Sequence, residues 1–178
     1  ARPEDLKGKR FGAADYQMTA AVWVRGFLQH DYGVQPEDLK WVVGAPVRAG
    51  VNIPGRVSIE RVGPDRSLDQ MLDDGEIDAL LGVTIPRSFL IGAKHVRRLF
   101  ADHRRVEEDY FRRTGIFPIM HTFVLKASLY EAEPWVAISL YKAFVQARQL
   151  NDQQLYDTDA LHAGLPWLID EIEASRRI

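Results

Sequence analysis

Between Lys9 and Gly44 the chain runs apolar, then amphipathic, then apolar again, and this order constrains the fold more than any other feature. Residues 9–14, "KRFGAA", read as a short buried strand. From Gln17 to about Tyr32 the apolar residues Met18, Ala21, Val22, Val24, Phe27 and Leu28 follow a helical period, and Gly33 stands where a left-handed residue closes a helix. "DLKWVVG" then predicts a second strand, with Leu39, Trp41 and Val43 alternating. Strand, helix and strand within about 35 residues make a βαβ unit, which requires a parallel pair joined by a right-handed crossover. The fold class that follows is α/β, a mostly parallel sheet flanked by helices.

The rest of the chain extends this pattern. Residues 44–66 carry Gly44, Pro46, Gly50, Pro54, Gly55, Gly63 and Pro64, a long loop with a short strand expected at 57–61. Ser67 followed by Gln70 is a capping-box spacing, and Gly75 closes that short helix. "IDALLGV" at 77–83 predicts a buried strand that ends in "TIPRSF". A helix is expected at 105–114, a strand at 119–126 ("IMHTFVLK"), an amphipathic helix from Pro134 to about Leu150, and a last helix from Pro166 onward.

Composition removes several classes of function. A chain of 178 residues that is 46% hydrophobic and 27% charged can bury a core of useful size. A net charge of −2 supplies no field to draw in nucleic acid or an anionic membrane, so neither is expected as a partner. The absence of cysteine excludes disulfides, thiolate metal sites and a cysteine nucleophile. No apolar run reaches the length of a membrane span. The opening "ARPEDLKGKRFG" has no initiator Met and enters a strand almost at once, so a fragment or a processed chain is expected.

In an open α/β sheet, ligands sit beyond the carboxyl ends of the strands, near helix N-termini. Three segments fall there: residues 15–19, the loop after Val43, and residues 84–89. At the first, Tyr16, Gln17, Met18 and Thr19 form a polar corner in which Tyr16, Gln17 and Thr19 would present donors beside free backbone N–H groups, suited to a carboxylate. The plainer reading makes Asp15 an N-cap and the others solvated turn residues. At the third, Pro86 fixes the backbone, Arg87 offers the guanidinium geometry that matches a carboxylate, and Ser88 follows it. The competing reading of Arg87 is a surface ion pair. Arg56, in "PGR", is a weaker candidate of the same kind. His121, inside an apolar segment, is either a satisfied core residue or a general acid suited to neutral pH. His30, His95, His103 and His162 are expected at the surface. No zinc-like spacing, phosphate-binding loop, dinucleotide fingerprint or nucleophile elbow is present.

The text of the sequence carries a resemblance beyond these patterns. "RPEDLKGKRFGAADYQMTAAVWVRGFLQHDYGV" resembles the second-lobe opening of the type II periplasmic-binding-protein superfamily. Together "YQMTAAVWVRG", "TIPRSF", "VEEDYFRRTGIFPIMH" and "PWVAISLYKAF" look like its 4,5-dihydroxyphthalate decarboxylase-like branch, over nearly the whole chain. The resemblance implies a second-lobe domain at 1–115. It implies that 116–178 are a hinge strand and C-terminal helices that pack on a first lobe, itself expected upstream of this start. Apolar faces left by that lobe would favour homo-oligomers.

The activity implied is a cytoplasmic lyase that converts 4,5-dihydroxyphthalate to 3,4-dihydroxybenzoate and carbon dioxide. The alternative is a periplasmic solute-binding protein for a small aromatic or carboxylate ligand, without chemistry. For the lyase, Tyr16, Gln17, Met18, Thr19, Arg56, Arg87 and Ser88 are the expected substrate-binding residues, and His121 or Tyr16 the proton donor. No cofactor is expected, because the hydroxylated ring can take up the electrons itself.

Overall fold

The computed structural model describes residues 2–159 and 164–178. It divides into two compact units, Ala1–Glu107 and Glu108–Ile178.

The first unit is built on four parallel strands: β1 (Arg10–Ala13), β2 (Lys40–Val43), β3 (Ser58–Arg61) and β4 (Ala79–Leu81), in the order β3-β2-β1-β4. The βαβ unit is present, with α1 (Thr19–Tyr32) as the crossover and Phe11 registered opposite Trp41. Gly33 ends α1 with φ 63°, a left-handed conformation that costs glycine least. The short helix α2 (Leu68–Asp73) begins at Ser67, whose hydroxyl accepts the Gln70 N–H. Next come α3 (Arg87–Leu90) and α4 (His103–Thr114).

Both faces of the sheet are covered, as a parallel sheet requires. Phe11, Ala13, Trp41 and Val43 point to one face and pack with Leu28 of α1, Leu6, Val34 and Leu39. Val42 points to the other and packs with Val62, Met71 of α2 and Ile77. The alternation expected of Leu39, Trp41 and Val43 is therefore real, while Val42 between them is equally buried against the opposite layer. Gly12 shares that second face. A Cβ there would lie 2.6 Å from the Ile77 Cδ1 atom and 3.1 Å from that of Leu80, so glycine lets these side chains pack directly on the strand.

The second unit holds the end of α4, then α5 (Ala127–Ala132), α6 (Trp135–Leu155) and α7 (Leu168–Arg176). The helices expected from Pro134 and Pro166 are present. The strand expected at 119–126 is not: those residues form no ladder, and α5 follows at once. An apolar run becomes a strand only where another strand offers its N–H and C=O groups. No described residue of this unit is buried. Among the described residues no helix is long and apolar enough to cross a membrane.

Candidate functional site

Parallel strands bring the segments after β1, β2 and β4 to the same end of the sheet, and the backbone continues to tie the first two together. Gly44 donates to the Ala13 carbonyl at 3.3 Å and Ala45 to that of Ala14 at 2.8 Å. The corner after β1 is thereby set against the start of the long loop.

Asp15 organises this corner. Its Oδ1 accepts the Gln17 N–H at 2.7 Å, a local turn closed by the side chain, and its Oδ2 accepts from Arg48 Nη2 at 3.1 Å. Gln17 completes the link, since its Oε1 accepts the backbone N–H of Arg48 at 2.7 Å. Its Nε2 is buried without a hydrogen-bond partner. Met18 is half-buried and serves as the N-cap of α1 without a side-chain bond, and Thr19 opens the helix exposed. Asp15 thus caps a turn before the helix rather than the helix itself.

Tyr16 is a core residue. It is 6% exposed, its ring meets Trp41 edge-on at 5.0 Å between centroids, and the Arg25 guanidinium lies over the ring, 4.0 Å from its centroid. Arg25 Nη1 also donates to the Tyr16 carbonyl. Burial pushes the Tyr16 phenol above its ordinary value of 10.0, against a lowering by Arg25, so the group is neutral at physiological pH. Burial likewise lowers the Arg25 guanidinium, with Tyr16 acting in the opposite sense.

Beyond β4 the chain turns through residues 82–86 into α3. The Arg87 residue is exposed, its carbonyl accepts the Ile91 N–H at 3.1 Å, and its guanidinium makes no hydrogen bond or ion pair among the described residues. Ser88 beside it is 3% exposed, and its hydroxyl has no hydrogen-bond partner. A cleft of about 490 Å³ runs along β4, lined among others by Leu80, Thr84, Phe89, Arg97 and Arg98.

The remaining candidates lie elsewhere. Arg56 precedes β3, whose first residue Ser58 pairs with Lys40 at the start of β2, so Arg56 belongs to the amino-terminal end of the sheet. His121 belongs to the second unit, where it is exposed. His30, His95 and His103 are at the surface as expected, and His162 lies outside the described residues. No cluster of three or more metal-ligating side chains occurs among the described residues.

Two functional candidates escape the sequence patterns. Arg48 lies in the loop after Val43, a segment whose position is legible but whose individual side chains are not. Arg25 leaves a clearer trace: it falls on the stripe of Ala21 and Leu28, so a cation stands where the helical period predicts core.

Comparison with known proteins bears on this arrangement. The chain is 38% identical over 182 aligned residues, 99% of its own length, to a 4,5-dihydroxyphthalate decarboxylase of Comamonas testosteroni. It is 38% identical over 114 residues, 61% of its length, to a protein of the same name from Pseudomonas putida. The chain is thus similar to 4,5-dihydroxyphthalate decarboxylases. It spans about half the length of these relatives, 55% of the first and 44% of the second. No family model matches the chain. The α/β lobe expected of a family member is the one observed, with a wholly parallel sheet.

Proposed function

We propose that this chain carries part of the active site of a lyase that decarboxylates 4,5-dihydroxyphthalate to 3,4-dihydroxybenzoate. The observation that supports it most is the 38% identity to one decarboxylase over 99% of the chain and to a second over 61% of it. The polar corner at 15–19 and the unpaired Arg87, both at the carboxyl end of the sheet, are consistent with a dicarboxylate ligand.

The chemistry asks little beyond positioning and one proton. Each carboxylate of the substrate has a ring hydroxyl para to it, and partial loss of that hydroxyl proton raises electron density at the carbon bearing the carboxylate. A general acid protonates this carbon, the bond to the carboxylate breaks, its electron pair returns to the ring, and carbon dioxide leaves. Arg87 is assigned to one carboxylate, with Ser88, Gln17, Met18 and Thr19 shaping the site. Arg56, expected as a weaker candidate for the same role, lies by the amino-terminal end of the sheet and is left out of this site. The proton comes from His121 or from Tyr16, whose phenol burial keeps protonated.

This reading assigns 1–115 to a second-lobe domain and 116–178 to a hinge and helices that pack on a first lobe. It is supported by the second unit's lack of any buried described residue. It places the enzyme in the cytoplasm.

The test is chromatographic detection of 3,4-dihydroxybenzoate from 4,5-dihydroxyphthalate, with Arg87→Ala and His121→Gln beside the parent. Loss of about tenfold or more in kcat/KM for Arg87→Ala is expected. A folded parent that binds the compound and releases no product would instead favour a solute-binding role. Unchanged turnover in His121→Gln would remove the imidazole from the reaction.

A further inference from the structure

We propose that Arg48 and Gln17 together bind a carboxylate of the ligand, with Asp15 as the positioning residue that sets the guanidinium. The proposal rests on the functional reading above and adds to it a recognition element in the loop after β2.

The argument starts from the orphaned amide. Gln17 Oε1 accepts the Arg48 N–H at 2.7 Å, which fixes the orientation of the side chain: a flipped amide would set two donors face to face. Nε2 is therefore held on the other side, buried and without an acceptor. A buried donor left unpaired is costly, and an incoming oxygen would relieve that cost.

Arg48 brings the matching charge. Asp15 engages only its Nη2, at 3.1 Å, and the side chain is otherwise 68% exposed, so Nε and Nη1 remain to receive a ligand. Asp15 has both oxygens committed, one to Arg48 and one to the Gln17 N–H, and its side chain is only 17% exposed. It serves as an internal strut and is not itself an open acceptor. The first N–H groups of the 14-residue helix α1 begin two residues after Gln17 and reinforce the preference for an anion. A free planar guanidinium edge is the geometry that fits a carboxylate, and the Gln17 amide on the same corner offers a further donor.

Calorimetry on the full chain with benzene-1,2-dicarboxylate isolates this element, because that probe lacks the hydroxyls needed for decarboxylation. Arg48→Ala and Gln17→Glu should each weaken binding about tenfold or more, the second while keeping an acceptor for the Arg48 N–H. Asp15→Asn should weaken it by about threefold, and Arg48→Lys should restore part of the loss, since charge returns without the planar fork. Circular dichroism checks that each variant folds.

Undiminished binding by folded Arg48→Ala and Gln17→Glu would overturn the proposal. So would equal affinity for the neutral benzene-1,2-dicarboxamide, or no binding by the parent at about 10 mM probe. The two readings fail separately. Arg48-dependent binding without turnover of 4,5-dihydroxyphthalate would keep the carboxylate site and remove the lyase. Turnover with an unaltered KM in Arg48→Ala would do the reverse.

Discussion

The two units put similar residues to opposite uses. In Ala1–Glu107, Trp41 and Val42 are fully enclosed, one on each side of a four-stranded sheet. In Glu108–Ile178, Trp135 is 62% exposed, Tyr141 71% and Phe123 82%, although α6, which carries the first two, is a regular helix. The difference teaches that helices can be specified locally while a core cannot. A 21-residue helix such as α6 satisfies its own backbone, whereas burial needs a second surface. The first unit supplies both surfaces from its own sequence, and the candidate site stands on that packed sheet.

The largest effect that would sharpen this contrast is expected at the centre of the first unit. Trp41→Ala removes a ring in contact with both Phe11 and Tyr16 and an indole N–H donated to the Pro36 carbonyl at 3.0 Å. It should cost about 3–5 kcal/mol in chemical denaturation followed by near-ultraviolet dichroism. A loss below about 1 kcal/mol would mean that the sheet is not the stable part of the chain.

Gly12→Ala should cost about 1–3 kcal/mol in the same experiment, because the new methyl forces the ends of the buried Ile77 and of Leu80 to shift. An effect near zero would show that the layer of α2 against the sheet is loosely packed.

Alkaline pH offers a smaller probe of the site. Burial raises the Tyr16 phenol in the folded state, so ionising it there is harder than in the unfolded chain. Its contribution to stability is whole below the unfolded value near 10 and is lost as pH climbs from there through the folded value. Unfolding midpoints between about pH 9 and 12 should fall more steeply in the parent than in Tyr16→Phe. Identical slopes would mean that Tyr16 is not enclosed by Trp41 and Arg25.

The smallest effect belongs to the second unit. Tyr141→Ala should change stability by no more than about 0.5 kcal/mol, since the ring is mostly in water. A loss comparable to that of Trp41→Ala would break the comparison outright.

What the sequence discloses follows the same division. The βαβ unit is legible because its signals are local and redundant: two apolar strands, an amphipathic period, and a glycine at the left-handed position 33. The parallel sheet follows from chain geometry alone. Residues 119–126 mislead for the complementary reason, since β-propensity states a preference and a ladder requires a neighbour. At the site, Gln17 was legible as a polar residue after a strand. The burial of Tyr16 was not, because it depends on Trp41 and Arg25 arriving from β2 and α1. Arg48 was invisible for a similar reason: its role comes from Asp15 and Gln17, more than thirty residues earlier.

The most direct test of the central claim, that the ligand docks at the carboxyl end of the sheet in the first unit, is hydrogen exchange of the full chain with and without 4,5-dihydroxyphthalate. Slowed exchange at residues 15–22 and 44–50, with α6 unchanged, is the result predicted. Unchanged exchange at those segments, with slowing confined to residues 127–155, would contradict it.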